Sequence, residues 1–521
     1  MLKFLKSNLF FFLLLTIVVF SLYGKSIFFD FTYHDDDLLI ENQVPFLSDV
    51  TNVPKLFIIS CYFNRDNIYY RPVLNLSFLI ETCIFGFDKK FYHLTNIILF
   101  ILTLYLMYVF LVKFNLNQTI LKFILLLLAV HPIFTSTVVW IPARNDTLLA
   151  IFIFLSFIFF IRYLKDNSTK NLVIYILFWT FALFTKETAL LMILLFPLFV
   201  YCLNYRITKK EIIRNILIIV PIILLYLYLR NISTNKLNFN NYLVNCCQYL
   251  ENMILGLIVY IDRFINPLNT NILLYKIQLN LREIFNAIIV CFLLIYIFYR
   301  KFIDRKLLLF LVIWFVLCLF TTFLLPDYVY LNHRIIISIF SAVVIIYYIT
   351  SILLIKFPNL KKYLLILWCV CFVLFSYISF LQQDKYKDRN IYWNKAFSEA
   401  SAYHAFAYML SRRYLEENNL QKSKELLLEA ISLSDNRYLS DLALIYYREG
   451  NMDKAEELYN EAIDYGINKA QCYRNLSVIY LKRDNDINKA MEYAKQAVQE
   501  EPYDNEYKKY LKILESKKNE D

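Results

Sequence analysis

Glycine is almost missing from this chain, with five residues in 521. A loop that cradles nucleotide phosphates needs glycines so that backbone N–H groups can approach closely, and no such glycine-rich motif is present. The ten cysteines are scattered and show no CxxC spacing, which argues against thiol redox or cysteine–zinc chemistry. Cys246-Cys247 and the pair Cys369 and Cys371 read as lipid-facing or packed small residues. A leader-type cleavage site is also lacking: Ser21-Leu22-Tyr23-Gly24-Lys25 is a poor candidate, so the first apolar run reads as a retained anchor.

What the chain does contain is apolar surface. Hydrophobic residues make up 59% and aromatic residues 18% of it. Apolar runs of about eighteen residues or more recur, which points to a polytopic, all-α membrane protein. Spanning segments are expected near 8–23, 91–112, 119–137, 147–163, 171–184, 188–203, 213–229, 285–299, 306–325, 334–355 and 362–380, about eleven in all. The net charge of +11 does not indicate nucleic acid. The surplus Lys and Arg sit in short loops, while the segment after Tyr403 is mildly acidic.

Those basic loops set the orientation. Lys113 and Lys122, then Arg162, Lys165 and Lys170, then Arg206, Lys209, Lys210 and Arg214 fall in alternate loops. Arg300, Lys301, Arg305 and Lys306, then Lys356, Lys361 and Lys362, keep the register. All are expected in the cytoplasm with the N-terminus, as in a bacterial inner membrane protein. The apolar stretch 245–268 would break this register by spanning, and reads as a re-entrant or interfacial helix on the outer face.

The expected organisation is a membrane domain over 1–381 with a first outer loop at 24–90, a linker at 382–402, helical repeats over 403–516, and a tail at 517–521. Ala430, Ala462 and Ala497 recur near the tetratricopeptide period of about 34 residues. Leu427 and Tyr459 precede the first two, and Tyr414, Tyr446 and Tyr480 fall on the preceding helices. Gly450 marks a turn and Pro502 closes the last unit, giving three repeats and a capping helix to about Ser516. On this orientation the repeats lie outside the cytoplasm.

Polar residues collect at the outer helix ends. The acids Asp35, Asp36 and Asp37 follow the first helix, where three carboxylates are costly unless water, a cation or a reaction occupies the place. Tyr69-Tyr70-Arg71-Pro72, Tyr92-His93, His131-Pro132, Trp140 to Asp146, Thr185-Lys186-Glu187-Thr188 and Asn332-His333-Arg334 end on the same side. Bland readings stand beside the functional one. Arg71, Arg144 and Arg334 could snorkel to headgroups, Lys186 and Glu187 could form an ion pair, and His93 and His131 could be structural. A divalent metal held by Asp and His is left open, since the spacing is not diagnostic. Asn-x-Ser/Thr triplets at Asn75 and Asn231 read as chance. Taken together, carboxylates facing cations suit transfer from a lipid-phosphate donor: a carboxylate deprotonates a hydroxyl, and Arg or Lys stabilises charge on the departing phosphate.

The runs HDDDLLIENQ at 34–43, YYRPVLNLSF at 69–78, YHLTN at 92–96, HPIFTSTVVWIPARND at 131–146, TKE at 185–187 and HR at 333–334, followed by the repeats, resemble the GT-C glycosyltransferases. The chain is most similar to the transmembrane and tetratricopeptide-repeat O-mannosyltransferases and their bacterial relatives. The resemblance implies an inverting transferase using a polyprenyl-phosphate-linked sugar outside the cytoplasm. The expected acceptor is a protein Ser/Thr hydroxyl, recruited or oriented by the concave helical groove of the repeats. The resemblance matches Asp35 and Asp36 to the family's acidic pair, which includes its base, and Arg144, Lys186 and Arg334 to its basic residues. Asp37, Arg71, His93, His131 and Glu187 join them as candidate substrate-binding residues from their place at the outer helix ends, Asp37 as a supporting acid. Ser136 stands where the family usually has an acid after His-Pro, and Phe100 where it often has a histidine. The rival readings are an O-antigen-type ligase or polymerase and a non-catalytic membrane scaffold. The ligases place their long outer loop late in the chain, and a scaffold leaves the acids unexplained.

Overall fold

The computed structural model describes the chain except residues 1, 64–67, 235–245, 269–270, 273, 276–278, 325–328, 401–403, 435, 502–504 and 521. It forms two compact units, Met1–Tyr392 and Trp393–Asp521. Both are helical; among the described residues the only sheet pairs Leu274–Tyr275 with Val329–Tyr330, antiparallel.

Among the described residues of the first unit eight helices are long and apolar enough to cross a membrane: Asn8–Phe28, Lys89–Phe114, Ile141–Asp166, Lys209–Ser233, Leu281–Arg300, Arg305–Phe323, Ile339–Lys356 and Leu360–Tyr386. They coincide with eight of the expected spans. The expected span at 119–137 is a pair, Gln118–Ala129 and Pro132–Val139, bent by 57°. The bend has a local cause: Pro132 has no N–H to give, and it disfavours helical backbone at His131, which is extended (φ −70°, ψ 128°). The expected spans at 171–184 and 188–203 are the shorter helices Thr169–Thr185 and Glu187–Cys202, and Pro72–Phe85 is a third short apolar helix. The stretch expected to be re-entrant or interfacial forms the helix Cys246–Ile265, which is not among the candidate spans.

Helix starts are set by side-chain caps. Asp88, Asn117 and Asp304 accept from backbone N–H groups of the first turn, and Thr208 and Asn280 form full capping boxes with Glu211 and Glu283. The unit's interior is aromatic. Phe110 packs on Phe157, Phe340 and Trp314 at ring separations of 5.6, 4.9 and 6.3 Å. Trp314 is fully buried and donates through Nε1 to the Ile337 carbonyl at 3.0 Å. An indole inside such a core needs that partner, because a buried unpaired N–H is costly.

The second unit is a run of helices: His404–Glu416 with Leu420–Ser432, Leu439–Arg448 with Met452–Asp464, Lys469–Arg483 with Ile487–Glu500, then Asn505–Glu520. Ala430, Ala462 and Ala497 are buried at the helix contacts, where their lack of bulk lets backbones approach. Leu427 and Tyr459 fill the neighbouring space, while Tyr414 and Tyr446 are half-buried beneath Lys422 and Lys424. Gly450 makes its expected turn with φ +85°, a conformation that L side chains rarely adopt. Pro502 lies outside the described residues. The closing helix runs past the expected Ser516.

Candidate active site

The site forms where helices break. The first helix gives way to a short turn that restarts as Asp36–Leu39. Tyr33 and Asp35 have left-handed backbone (φ 56° and 71°), costly for residues with a Cβ and retained only where surroundings hold it. The turn points Asp36 inward. Its Oδ2 accepts from the Thr32 backbone N–H at 2.7 Å and from the Thr32 hydroxyl at 2.5 Å. Its Oδ1 is buried with no hydrogen-bond partner among the described residues. Burial, reinforced by the charges of Asp35 and Asp37 and only partly offset by Thr32, raises the Asp36 carboxyl to about 7. Asp35 accepts from the Tyr62 hydroxyl at 2.9 Å, and Asp37 is half-buried with its carboxyl raised by desolvation.

From this turn a continuous set of contacts runs round the site and returns to it. The Tyr62 ring meets Tyr69 edge-on at 6.2 Å, and the Arg71 guanidinium lies over Tyr69 at 4.5 Å. Arg71 grips Glu187 with two bonds, Nη2 to Oε1 at 2.8 Å and Nε to Oε2 at 3.3 Å. The adjoining Lys186 has extended backbone between two helical segments and donates to both Asp146 oxygens, at 2.7 and 2.8 Å. His333 Nε2 approaches Asp146 Oδ2 at 3.5 Å, and its ring packs on Trp140 at 5.0 Å. Trp140 stacks in turn on His34 at 5.1 Å and donates from Nε1 to the His34 carbonyl at 3.1 Å. His34 immediately precedes Asp35.

The cations on this circuit differ in kind. Arg334 is half-buried and has no ion-pair or hydrogen-bond partner among the described residues. It is near enough to depress the titration of Lys186 and His333. Burial is the main cause in both cases, and Lys186 comes down to about 8 although Asp146 opposes the shift. Arg144, by contrast, is fully buried in a closed network with Asn96, Glu81 and Tyr92. Its Nε donates to Asn96 Oδ1 at 2.9 Å, Nη1 to Glu81 Oε2 at 2.6 Å and Nη2 to the Tyr92 carbonyl at 2.9 Å. His93 packs edge-on to Phe29 at 6.4 Å. His131 caps its own helix break, accepting from the Ile133 N–H at 3.2 Å, and its other nitrogen meets the Phe264 carbonyl at 3.0 Å. Asn75 is buried and donates to the Cys61 carbonyl.

Asp35, Asp36, Arg71, Lys186, Glu187 and Arg334 therefore share one neighbourhood, while Arg144, His93 and His131 serve the helix junctions around it. Asp146, Tyr62, Trp140 and His333 complete the circuit without having been singled out as site residues. Asp146 carried a readable signal, a carboxylate in the first turn of a helix whose middle is apolar. Tyr62 carried none. Among the described residues no three His, Cys, Asp or Glu side chains are grouped so as to hold a metal ion.

The Cys246–Ile265 helix, also unforeseen as part of the site, holds the turn that carries Arg334. The Tyr260 hydroxyl donates to the Leu331 carbonyl at 2.9 Å, and Arg263 Nη1 bonds Asn332 Oδ1. The same helix is tied back by Asp262, which accepts from Asn286 at 2.7 Å and pairs with Arg282.

A helical membrane unit with buried carboxylates and cations gathered at its helix breaks, followed by paired repeat helices, defines the class: an integral membrane protein with a polar cluster at its helix breaks and a run of repeat helices. Two family models match it, that of the dolichyl-phosphate-mannose-protein mannosyltransferases over residues 72–234 and that of the tetratricopeptide repeat over residues 437–465. These matches support the resemblance that the motif order carried, to membrane glycosyltransferases with tetratricopeptide repeats. The first match begins at Pro72, so the acid turn lies before it. No curated protein and no solved structure matches the chain.

Proposed function

We propose that the protein transfers a sugar, a mannosyl group by its family match, from a polyprenyl-phosphate donor to a hydroxyl on an extracytoplasmic acceptor, a protein Ser or Thr. The observation that carries this reading is Asp36: a buried carboxyl at about 7, held through Oδ2 and unpartnered at Oδ1. A general base works best with its pKa near the working pH. Asp36 Oδ1 takes the acceptor's proton while the acceptor oxygen forms a bond to the sugar C1. The bond from C1 to the phosphate oxygen breaks, and its electron pair leaves with the polyprenyl phosphate. A single displacement of this kind inverts C1. Asp35 orients the turn through Tyr62 and is the second candidate for the base.

Charge on the departing phosphate falls first to Arg334, which needs to give up no partner. Arg71 and Lys186 are already engaged with Glu187 and Asp146, and removing one member of a buried pair costs roughly 3–5 kcal/mol. They contribute by exchanging carboxylate for phosphate as the donor enters. Arg144 acts as a positioning residue for the helix that carries Asp146. The donor's lipid chain stays in the bilayer, and the acids and repeats face the extracytoplasmic side. The repeats present the acceptor through a helical groove.

The test is mass spectrometry of envelope proteins from cells with and without the chain, together with Asp36→Asn. The expected result is a hexose mass on Ser/Thr peptides that disappears in both the deletion and the variant, with the variant inserted at normal abundance. Full transfer in both Asp35→Asn and Asp36→Asn would overturn the assignment.

A further inference from the structure

The segment that leaves the last membrane helix, Gln383–Tyr392, reads in sequence as a linker to the repeats. It is instead fastened to the acid turn along its length. At its start Gln383 is fully buried and donates to the Leu22 carbonyl at 2.9 Å. Asp384 pairs with Lys25 at 3.0 Å, and Lys25 also reaches the Phe380 carbonyl. The backbone N–H of Asp30 donates to the Lys387 carbonyl at 2.8 Å. The Arg389 guanidinium lies over the Tyr33 ring at 4.8 Å, and the buried Tyr392 hydroxyl and His34 Nδ1 share a hydrogen bond of 2.6 Å. Tyr386 packs on Tyr392 at 5.6 Å, which fixes that ring from behind.

These contacts fall on Asp30, Tyr33 and His34, the residues that carry the chain into Asp35 and Asp36. Two residues of that turn, Tyr33 and Asp35, are in the left-handed region, so the turn relies on outside contacts to persist. Arg389 holds the first of them directly. His34, clamped between Tyr392 and Trp140, fixes the residue between them.

We propose that Gln383–Tyr392 is a brace for the base, with Tyr392 and Arg389 as positioning residues that act on Asp35 and Asp36 through His34 and Tyr33. The chain passes from Tyr392 directly to Trp393, the first residue of the repeat unit, so the brace is also the covalent route between the repeats and the membrane unit. The functional weight of the brace rests on the proposed base; its structural half does not.

The experiment separates the two. Hydrogen–deuterium exchange is measured on the full-length protein in lipid nanodiscs for wild type, Tyr392→Phe, Arg389→Ala and His34→Asn. Losing one hydrogen bond to a buried partner should speed exchange of amides in 30–40 about five- to tenfold in Tyr392→Phe, with the spanning helices unchanged. His34→Asn loses the ring that stacks on Trp140 and should speed exchange of the same amides at least as much as Tyr392→Phe. In parallel, sugar transfer from polyprenyl-phosphate mannose to envelope protein should lose turnover about tenfold in Tyr392→Phe, with the donor KM unchanged, because no donor contact is removed. Unchanged exchange at 30–40 in both Tyr392→Phe and Arg389→Ala overturns the brace. Faster exchange with undiminished transfer keeps the brace as structure but overturns its role in positioning a base. No transfer even in wild type, with the exchange effect intact, is instead a failure of the glycosyltransferase reading.

Discussion

Asp36→Asn should make the protein inactive and, above neutral pH, more stable. Burial moves the carboxyl from 3.8 to about 7 in the folded protein. The folded state then binds more protons than the unfolded state between those values, and stability falls as pH rises through them. At about 1.4 kcal/mol per pKa unit, the ionised form costs roughly 4 kcal/mol above pH 7, an upper figure because water reaching the site lowers it. Below pH 4 the cost is absent. Asn keeps an acceptor for the two Thr32 donors and carries no charge, so it removes the cost without emptying the site. Thermal unfolding in detergent at pH 8.5 should therefore show the variant more resistant than wild type by several degrees, with the gap closing towards pH 4. The assay is the apparent midpoint at one scan rate, since membrane proteins unfold irreversibly. Wild-type transfer should rise with pH through about 7 as Asp36 ionises. A variant less stable than wild type at pH 8.5, or a wild-type rate flat from pH 5.5 to 8.5, would refute the reasoning.

The two arginines should separate cleanly. Arg334→Ala should raise the donor KM at least tenfold with normal membrane abundance, whereas Arg144→Lys, which loses bonds to Asn96, Glu81 or Tyr92, should lower abundance; immunoblots and donor titration distinguish them. Lys186→Met leaves the buried Asp146 unpaired and should destabilise by roughly 3–5 kcal/mol. Adding Asp146→Leu should restore abundance but not transfer. In the repeats, Ala462→Leu forces extra methyls into a fully buried helix contact and should cost about 1–3 kcal/mol, read as a lower unfolding midpoint of the repeat unit.

The glycosyltransferase class and the repeats were both legible before any coordinates, because each is written in local pattern. Apolar runs, alternating basic loops and a period near 34 residues are properties of short windows, and so is the order of the polar runs. The acid turn could be found for the same reason: three adjacent carboxylates after an apolar helix are conspicuous. Helix breaks were harder. The pair at His131-Pro132 looked like one span because hydropathy sums over a window and is blind to the missing N–H that bends it by 57°.

By itself, then, the sequence determined a helical membrane protein with a repeat unit and a resemblance to glycosyltransferases, and it named the acids and cations to watch. Tertiary structure alone decided how they divide. Arg71, Arg144 and Arg334 are chemically identical, yet one is gripped by Glu187, one is closed within Glu81, Asn96 and Tyr92, and one is left without a partner among the described residues. Ion pairing depends on contacts far apart in the chain, which no local pattern records. For the same reason Asp146, and not position 136, supplies the second buried acid beside Lys186. The linker likewise proved to reach back to the turn that carries Asp36.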